Sequence, residues 1–180
     1  MTEARRATTI LWINGAHGVG KSTVARAILR FRPEALLFDP EIVGHAIRKL
    51  WPRPQPRDFK DMPVWSEVVA QALRALVRDV GPPFVIVPMT VVDAGQLELM
   101  LSAPRQTGAQ VRHVTLIAAD ATRAARLHWR IAWPGSRRWA REYGALASGL
   151  LIGAAFAPHV ATDGRTPRDI AMELISLCST

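Results

Sequence analysis

Apolar and polar positions along the chain switch between two periods, and the switching describes an α/β domain. Unbroken apolar runs at 9–14, 35–39, 84–89, 113–118 and 157–162 predict short strands buried in a sheet. Between these runs the apolar spacing lengthens to three and four. Val24, Ile28 and Phe31 share one face of a helix expected over 23–30, as do Ile42, Val43, Ala46, Ile47 and Leu50 in the next. The longest stripe, Val64, Trp65, Val68, Val69, Ala72, Leu73, Leu76 and Val77, predicts a long core-facing helix. Shorter helices are expected at 96–101, 121–130 and 136–141. A last one opens at Pro167, in the first turn where proline is tolerated.

Prolines and glycines punctuate this pattern. Residues 51–57, WPRPQPR, cannot be helical, because each proline removes a donor and restrains the residue before it; they predict a linker or lid-like loop. Gly81, Pro82 and Pro83 stop the long helix, and Trp133, Pro134 and Gly135 break the helical pattern again. The longest apolar stretch, 145–157, falls short of the roughly 20 residues that span a bilayer and reads as a buried or interfacial helix. With 180 residues, no internal repeat and no compositional boundary, residues 1–180 are expected to form a single domain.

One stretch turns architecture into chemistry. Residues 15–22, GAHGVGKS, fit G-x-x-x-x-G-K-[ST] and lie between the first strand and the first helix, the order a phosphate-binding loop requires. Gly15, Gly18 and Gly20 let the main chain curl closely enough for its N–H groups to wrap a polyphosphate. The helix that follows adds unpaired amides and partial positive charge. Ala16, His17 and Val19 complete the loop; Lys21 can reach the β- and γ-phosphates, Ser22 can ligate Mg²⁺, and Thr23 flanks them. Lys21 also departs from the local habit, since the chain holds three lysines against twenty arginines.

Further candidates stand where strands end, the edge at which ligands of α/β sheets gather. Asp39 and Glu41 bracket Pro40 after the second strand; Asp39 can face the γ-phosphate, or serve only as a helix N-cap. The third strand ends without the acidic residue of a Walker B motif, which leaves Mg²⁺ support to Asp39 with Asp93 as substitute, and leaves Thr90 free to hydrogen-bond substrate. Thr90 and Asp93 also suit helix capping. Trp65 can line a substrate pocket or sit in the core. Arg123, Arg126 and Arg130 share a helical face, and Arg137 and Arg138 follow the Pro-Gly break, as a mobile lid over triphosphate needs; a solvated basic face has the same pattern. The turn at 163–166, with Gly164 and Thr166, is where an adenine could rest.

Charge and cysteine content narrow the setting. A net charge of +8 suggests anionic partners, although scattered arginines are equally a mark of a biased composition. No basic strand interleaved with aromatics marks a nucleic-acid binder, so no specific nucleic acid is expected. The single cysteine, Cys178, excludes an internal disulfide and points to a reducing cytoplasm.

Five motifs then act together: WINGAHGVGKS at 12–22, FDPE at 38–41, DF at 58–59 with PVW at 63–65, VPMTV at 87–91, and HVATD at 159–163. They resemble the tunicamycin-resistance ATP-binding proteins, and more broadly the antibiotic kinases and shikimate-kinase-like small-molecule kinases of the P-loop class. The resemblance implies a three-layer αβα fold with a five-stranded parallel sheet of order 2-3-1-4-5 and a helical lid near 130–145. It implies ATP and Mg²⁺, with Gly15, Gly20, Lys21 and Ser22 on phosphates and metal and Asp39 near the acceptor hydroxyl. Ser66 departs from the pattern, in which an arginine follows the tryptophan. The expected activity is transfer of the γ-phosphoryl group of ATP to a hydroxyl of a small molecule, a nucleoside or sugar-bearing antibiotic. Asp39 would act as base, with Lys21, Arg130 and Arg137 carrying transition-state charge. An ATP-gated protein that sequesters the drug unchanged and a nucleic-acid end kinase remain alternatives, and a homodimer is left open.

Overall fold

A computed structural model describes residues 7–128 and 134–179, with 134–142 described by backbone alone. The strands are β1 (Thr9–Gly15), β2 (Leu36–Leu37), β3 (Phe84–Pro88), β4 (Gln110–Ile117) and β5 (His159–Ala161). They form one parallel sheet in the order β2-β3-β1-β4-β5. Seven α-helices lie among the described residues: α1 (Lys21–Phe31), α2 (Pro40–Leu50), α3 (Pro63–Ala75), α4 (Ala94–Arg105), α5 (Asp120–His128), α6 (Pro134–Leu151) and α7 (Pro167–Leu177). Helices cover both faces of the sheet, α1 packing with α7 and α3 with α4.

The central strand shows why the apolar runs lack alternation. β1 lies between β3 and β4, and Ile10, Leu11, Trp12 and Ile13 have no exposed surface, so every position must be apolar. Edge strands obey weaker rules. β2 keeps only Leu36 and Leu37 of the expected 35–39, because the edge pairs on one side alone and Leu37 is already exposed. β5 begins at His159 rather than 157, since the residues before it leave a 3-10 turn at Ala154–Phe156. β4 starts three residues earlier than expected, through Gln110 and Arg112, whose exposure hid them from an apolar pattern.

Two helices also differ from expectation. Pro134 and Gly135 of the expected break are the first two residues of α6, which runs without interruption into the apolar stretch, while Trp133 lies outside the described residues. That stretch is not buried as a whole: Ala147, Leu151 and Phe156 enter the core while Leu146, Leu150 and Ile152 are exposed. α3 continues through a π turn at Leu76–Val80 and ends at Gly81, whose φ of 58° is left-handed. No helix among the described residues is long and apolar enough to cross a membrane.

Candidate active site

The phosphate loop is shaped by contacts that only glycine permits. Gly15, the last residue of β1, has φ 139°, and a Cβ on it would lie 2.6 Å from the Leu116 carbonyl oxygen of β4. Gly20, at φ 106°, hands the chain into α1, which has no side-chain cap at its N-terminus. Its first-turn amides and the positive end of its dipole therefore face the loop.

Lys21 projects from that first turn into the mouth of the loop. Its Nζ donates to the Gly15 carbonyl at 2.6 Å, the Ala16 carbonyl at 3.2 Å and Thr90 Oγ1 at 2.7 Å. The buried Thr90 hydroxyl in turn donates to the Gly15 carbonyl at 2.7 Å. Thr90 is thus not free to bind substrate, as the sequence suggested; it holds the lysine and the loop. A hydroxyl stands two residues beyond the end of β3, near where a Walker B strand would place an acid.

Asn14 fixes the loop from below. Its Oδ1 accepts from the amides of Gly15 at 2.8 Å and Val91 at 3.0 Å, and its Nδ2 donates to the Val91 carbonyl at 2.9 Å. Sequence reasoning passed over Asn14, although a polar residue inside an otherwise apolar strand was the signal. The third side is made by α5 and the end of β5. Buried Arg123 donates to the His17 carbonyl at 3.3 Å and pairs with Asp120 at 2.6 Å. Arg126 donates to the Val19 carbonyl at 3.0 Å and to Thr162 at Oγ1 and O, both at 2.9 Å. Both arginines come from the predicted basic face, which is therefore turned to the loop rather than wholly to solvent.

Across the cleft, Leu37 and Leu11 both register with Ile86, so Asp39 stands level with Ile13 at the same edge of the sheet. Two strand spacings separate β2 from β1, about 10 Å, the room an acceptor and a terminal phosphate would fill. Asp39 Oδ1 caps α2 by accepting from the Glu41 amide at 2.9 Å. Its Oδ2 makes no hydrogen bond or ion pair with the described residues. One carboxylate can therefore serve both as cap and as base.

The remaining candidates divide. Ser22 and Thr23 lie exposed on the first turn of α1, and Glu41 is exposed on the first turn of α2. Trp65 is corrected: it has no exposed surface, so it does not line the cleft. Its Nε1 donates to the Pro40 carbonyl at 3.1 Å, which braces the Asp39 turn from behind. Asp93 is exposed and caps α4 through the Gln96 amide at 2.8 Å. Thr166 caps α7 and Gly164 shapes an exposed turn; contact with the loop is made instead by Thr162, whose Oγ1 lies 3.2 Å from the Val19 carbonyl. Arg130, and the side chains of Arg137 and Arg138, lie outside the described residues.

The donor set fits Mg²⁺ carried by phosphate better than a protein-built cage. Among the described residues no three His, Cys, Asp or Glu side chains come together. A Ser22 hydroxyl and an Asp39 carboxylate are hard oxygen donors of the kind that share Mg²⁺ with phosphates and water.

Comparison with known proteins bears on the family and the fold. The AAA domain family profile matches residues 10–141. No curated protein matches the sequence. Among solved structures, the Deinococcus radiodurans tunicamycin resistance protein shares 28% identity, with a TM-score of 0.73 and coverage of 94% of this chain and 95% of that one. A gluconokinase from Sinorhizobium meliloti 1021 matches with TM-score 0.65 at 18% identity, covering 97% and 96%. The Mycobacterium tuberculosis APS kinase, in complex with AMPPNP and APS, matches with TM-score 0.61 at 17% identity, covering 97% and 99%. The last two establish the fold: a P-loop kinase fold with its sheet in the 2-3-1-4-5 order.

Proposed function

Since the chain belongs to the AAA domain family, we propose that it is an ATP-dependent phosphotransferase acting on a hydroxyl of a small molecule, a nucleoside or sugar-bearing antibiotic. The observation that carries this reading is the placement of Lys21, gripped by Gly15, Ala16 and Thr90 at a helix N-terminus, at the same edge of the sheet as a carboxylate that keeps one oxygen unengaged. The antibiotic class is supported by the 28% identity to a protein named for tunicamycin resistance.

In the proposed reaction the loop amides and Lys21 hold the β- and γ-phosphates of ATP. Asp39 Oδ2 accepts the proton of the acceptor hydroxyl as its oxygen attacks the γ-phosphorus; the bond to the bridging oxygen of the β-phosphate breaks, and ADP leaves. Positioning and electrostatic stabilisation supply most of such catalysis. Ser22 would hold Mg²⁺, with Asp39 supporting it through water; the ion when bound offsets phosphate charge.

The purified protein incubated with ATP and a panel of nucleoside antibiotics, read by mass spectrometry, tests the proposal. One added phosphate on a drug supports it. Replacing Asp39 with Asn should then lower kcat by roughly 100-fold or more, the usual worth of a positioned base, and wild-type turnover in that variant would remove Asp39 from the role. Unchanged drug recovered in a stoichiometric complex would mean capture without chemistry.

A further inference from the structure

We infer that Tyr143 is a positioning residue that couples the phosphate loop to the acceptor side of the cleft, an inference that rests on the phosphotransfer reading above. Three separate parts of the chain meet at its ring. His17 of the loop lies edge-on to it, with centroids 5.7 Å apart and planes at 78°. The Lys60 ammonium sits 4.1 Å from the ring centroid. Tyr143 itself belongs to α6, and it is the chain's single tyrosine.

Each contact is held firmly. Lys60 has only 9% of its side chain exposed, and its Nζ is 3.2 Å from Asp58 Oδ2. A cation so far removed from water is attracted more strongly by an aromatic face than an exposed one. Its main chain is anchored as well: Asp58 Oδ1 accepts from the Lys60 amide at 3.0 Å, and Gln96 Nε2, from the first turn of α4, donates to the Lys60 carbonyl at 3.1 Å. On the loop side the next residue, Gly144, brings the backbone of α6 down onto the loop. A Cβ there would lie 3.0 Å from Arg123 Nη1 and 3.4 Å from His17 Cβ, and Arg123 holds the His17 carbonyl.

The ring therefore touches both neighbours at once. His17 is the third residue of a loop that must settle around phosphate, and Lys60 leaves the 58–61 turn whose neighbour Phe59 packs against Trp65 behind Asp39. Phosphate entering the loop displaces His17, hence the ring, hence the Lys60 ammonium. By linkage, a molecule pressing on the 58–61 turn changes nucleotide affinity by the same factor.

Three lysines make this directly readable. With lysine labelled at Cε, the Lys60 signal should lie upfield of Lys49, shifted by the ring face, and AMPPNP should move both the Lys21 and Lys60 signals; Lys49→Arg and Lys60→Arg give the assignment. Tyr143→Phe should keep the Lys60 response. Tyr143→Leu should abolish it and weaken AMPPNP about tenfold, while Lys21 still responds. A Lys60 signal that ignores AMPPNP in the wild type while Lys21 responds overturns the inference, as does a response that survives Tyr143→Leu. If Lys21 itself ignores AMPPNP, it is the phosphotransfer reading that fails, and the inference with it. Should Tyr143→Leu not fold, Lys60→Met should weaken AMPPNP and Lys60→Arg restore it; equal affinity in all three overturns the coupling.

Discussion

Thr90 performs a task that its position in the sequence hinted at without specifying. A polar residue at the end of the apolar run 84–89 marks the edge of the cleft, yet its partners, Gly15 and Lys21, lie 75 and 69 residues away in the chain. Nothing local tells whether such a hydroxyl meets substrate or protein. Removing it should loosen the lysine without unfolding the loop, because Lys21 keeps its bond to the Gly15 carbonyl. Thr90→Val removes the bond from the Lys21 ammonium and the bond to the Gly15 carbonyl; the one to the charged group alone costs about 1.5–3 kcal/mol, so the variant should lower kcat/KM for ATP by at least about one to two orders of magnitude. Thr90→Ser should recover most of it. Steady-state kinetics with ATP as the varied substrate checks this, and equal defects in both variants would assign the loss to packing instead. Lys21 and the loop glycines were legible for the opposite reason: their spacing carries the chemistry within eight residues.

At the scale of elements, the turn at Phe59–Asp61 rests on α2 through a contact only glycine allows. A Cβ at Gly44 would lie 2.3 Å from Cδ2 of Phe59, whose ring is also packed on His45 and Trp65. The ring is buried and has no direction in which to give, so Gly44→Ala should destabilise the fold by about 1–3 kcal/mol despite the better helix propensity of alanine. Thermal melts would read this as a Tm lowered by several degrees, and an unchanged Tm would mean that the turn slides freely on α2. Trp65 belongs to the same assembly. Replacing it with Phe keeps most of the packing but leaves the buried Pro40 carbonyl without its indole donor. That should cost about 1–3 kcal/mol of stability and lower kcat more than it raises KM for ATP, since the Asp39 turn is displaced while the loop is not. The helical stripe containing Trp65 was plain in the sequence. Which side of the cleft wall the indole occupies was not, because periodicity assigns a face but not what lies behind it.

For the molecule as a whole, strand count, strand sequence and the place of the loop followed from the order of apolar runs, since central strands in a doubly covered sheet cannot hide their composition. The edges were less legible: β2 and β5 pair on one side only, and exposed Gln110 and Arg112 open β4. The same strand holds a group that ties the fold to pH. His113 is packed within the wall of a cavity of about 530 Å³ between α4, β4 and the turn before β5. Burial pushes its pKa down from 6.5 to about 4; a hydrogen bond to the Ala157 backbone opposes the shift, and the electrostatic influence of nearby His159 and Arg105 adds to it. The folded protein thus keeps His113 neutral where the unfolded chain protonates it. Its contribution is complete above about pH 6.5, declines as pH falls toward about 4, and loses nothing further below that. Asp163, held below the usual carboxylate range by Thr122 and the Ala119 amide, loses its contribution as pH falls below the ordinary value of 3.8, at the acid end of the His113 window. Melting curves between pH 4 and 8 should show Tm of the wild type falling between about pH 6.5 and 4, and the fall should shrink in His113→Phe, which fills the site without a titrating ring. Parallel pH profiles in the two proteins would place the acid sensitivity elsewhere in the sheet.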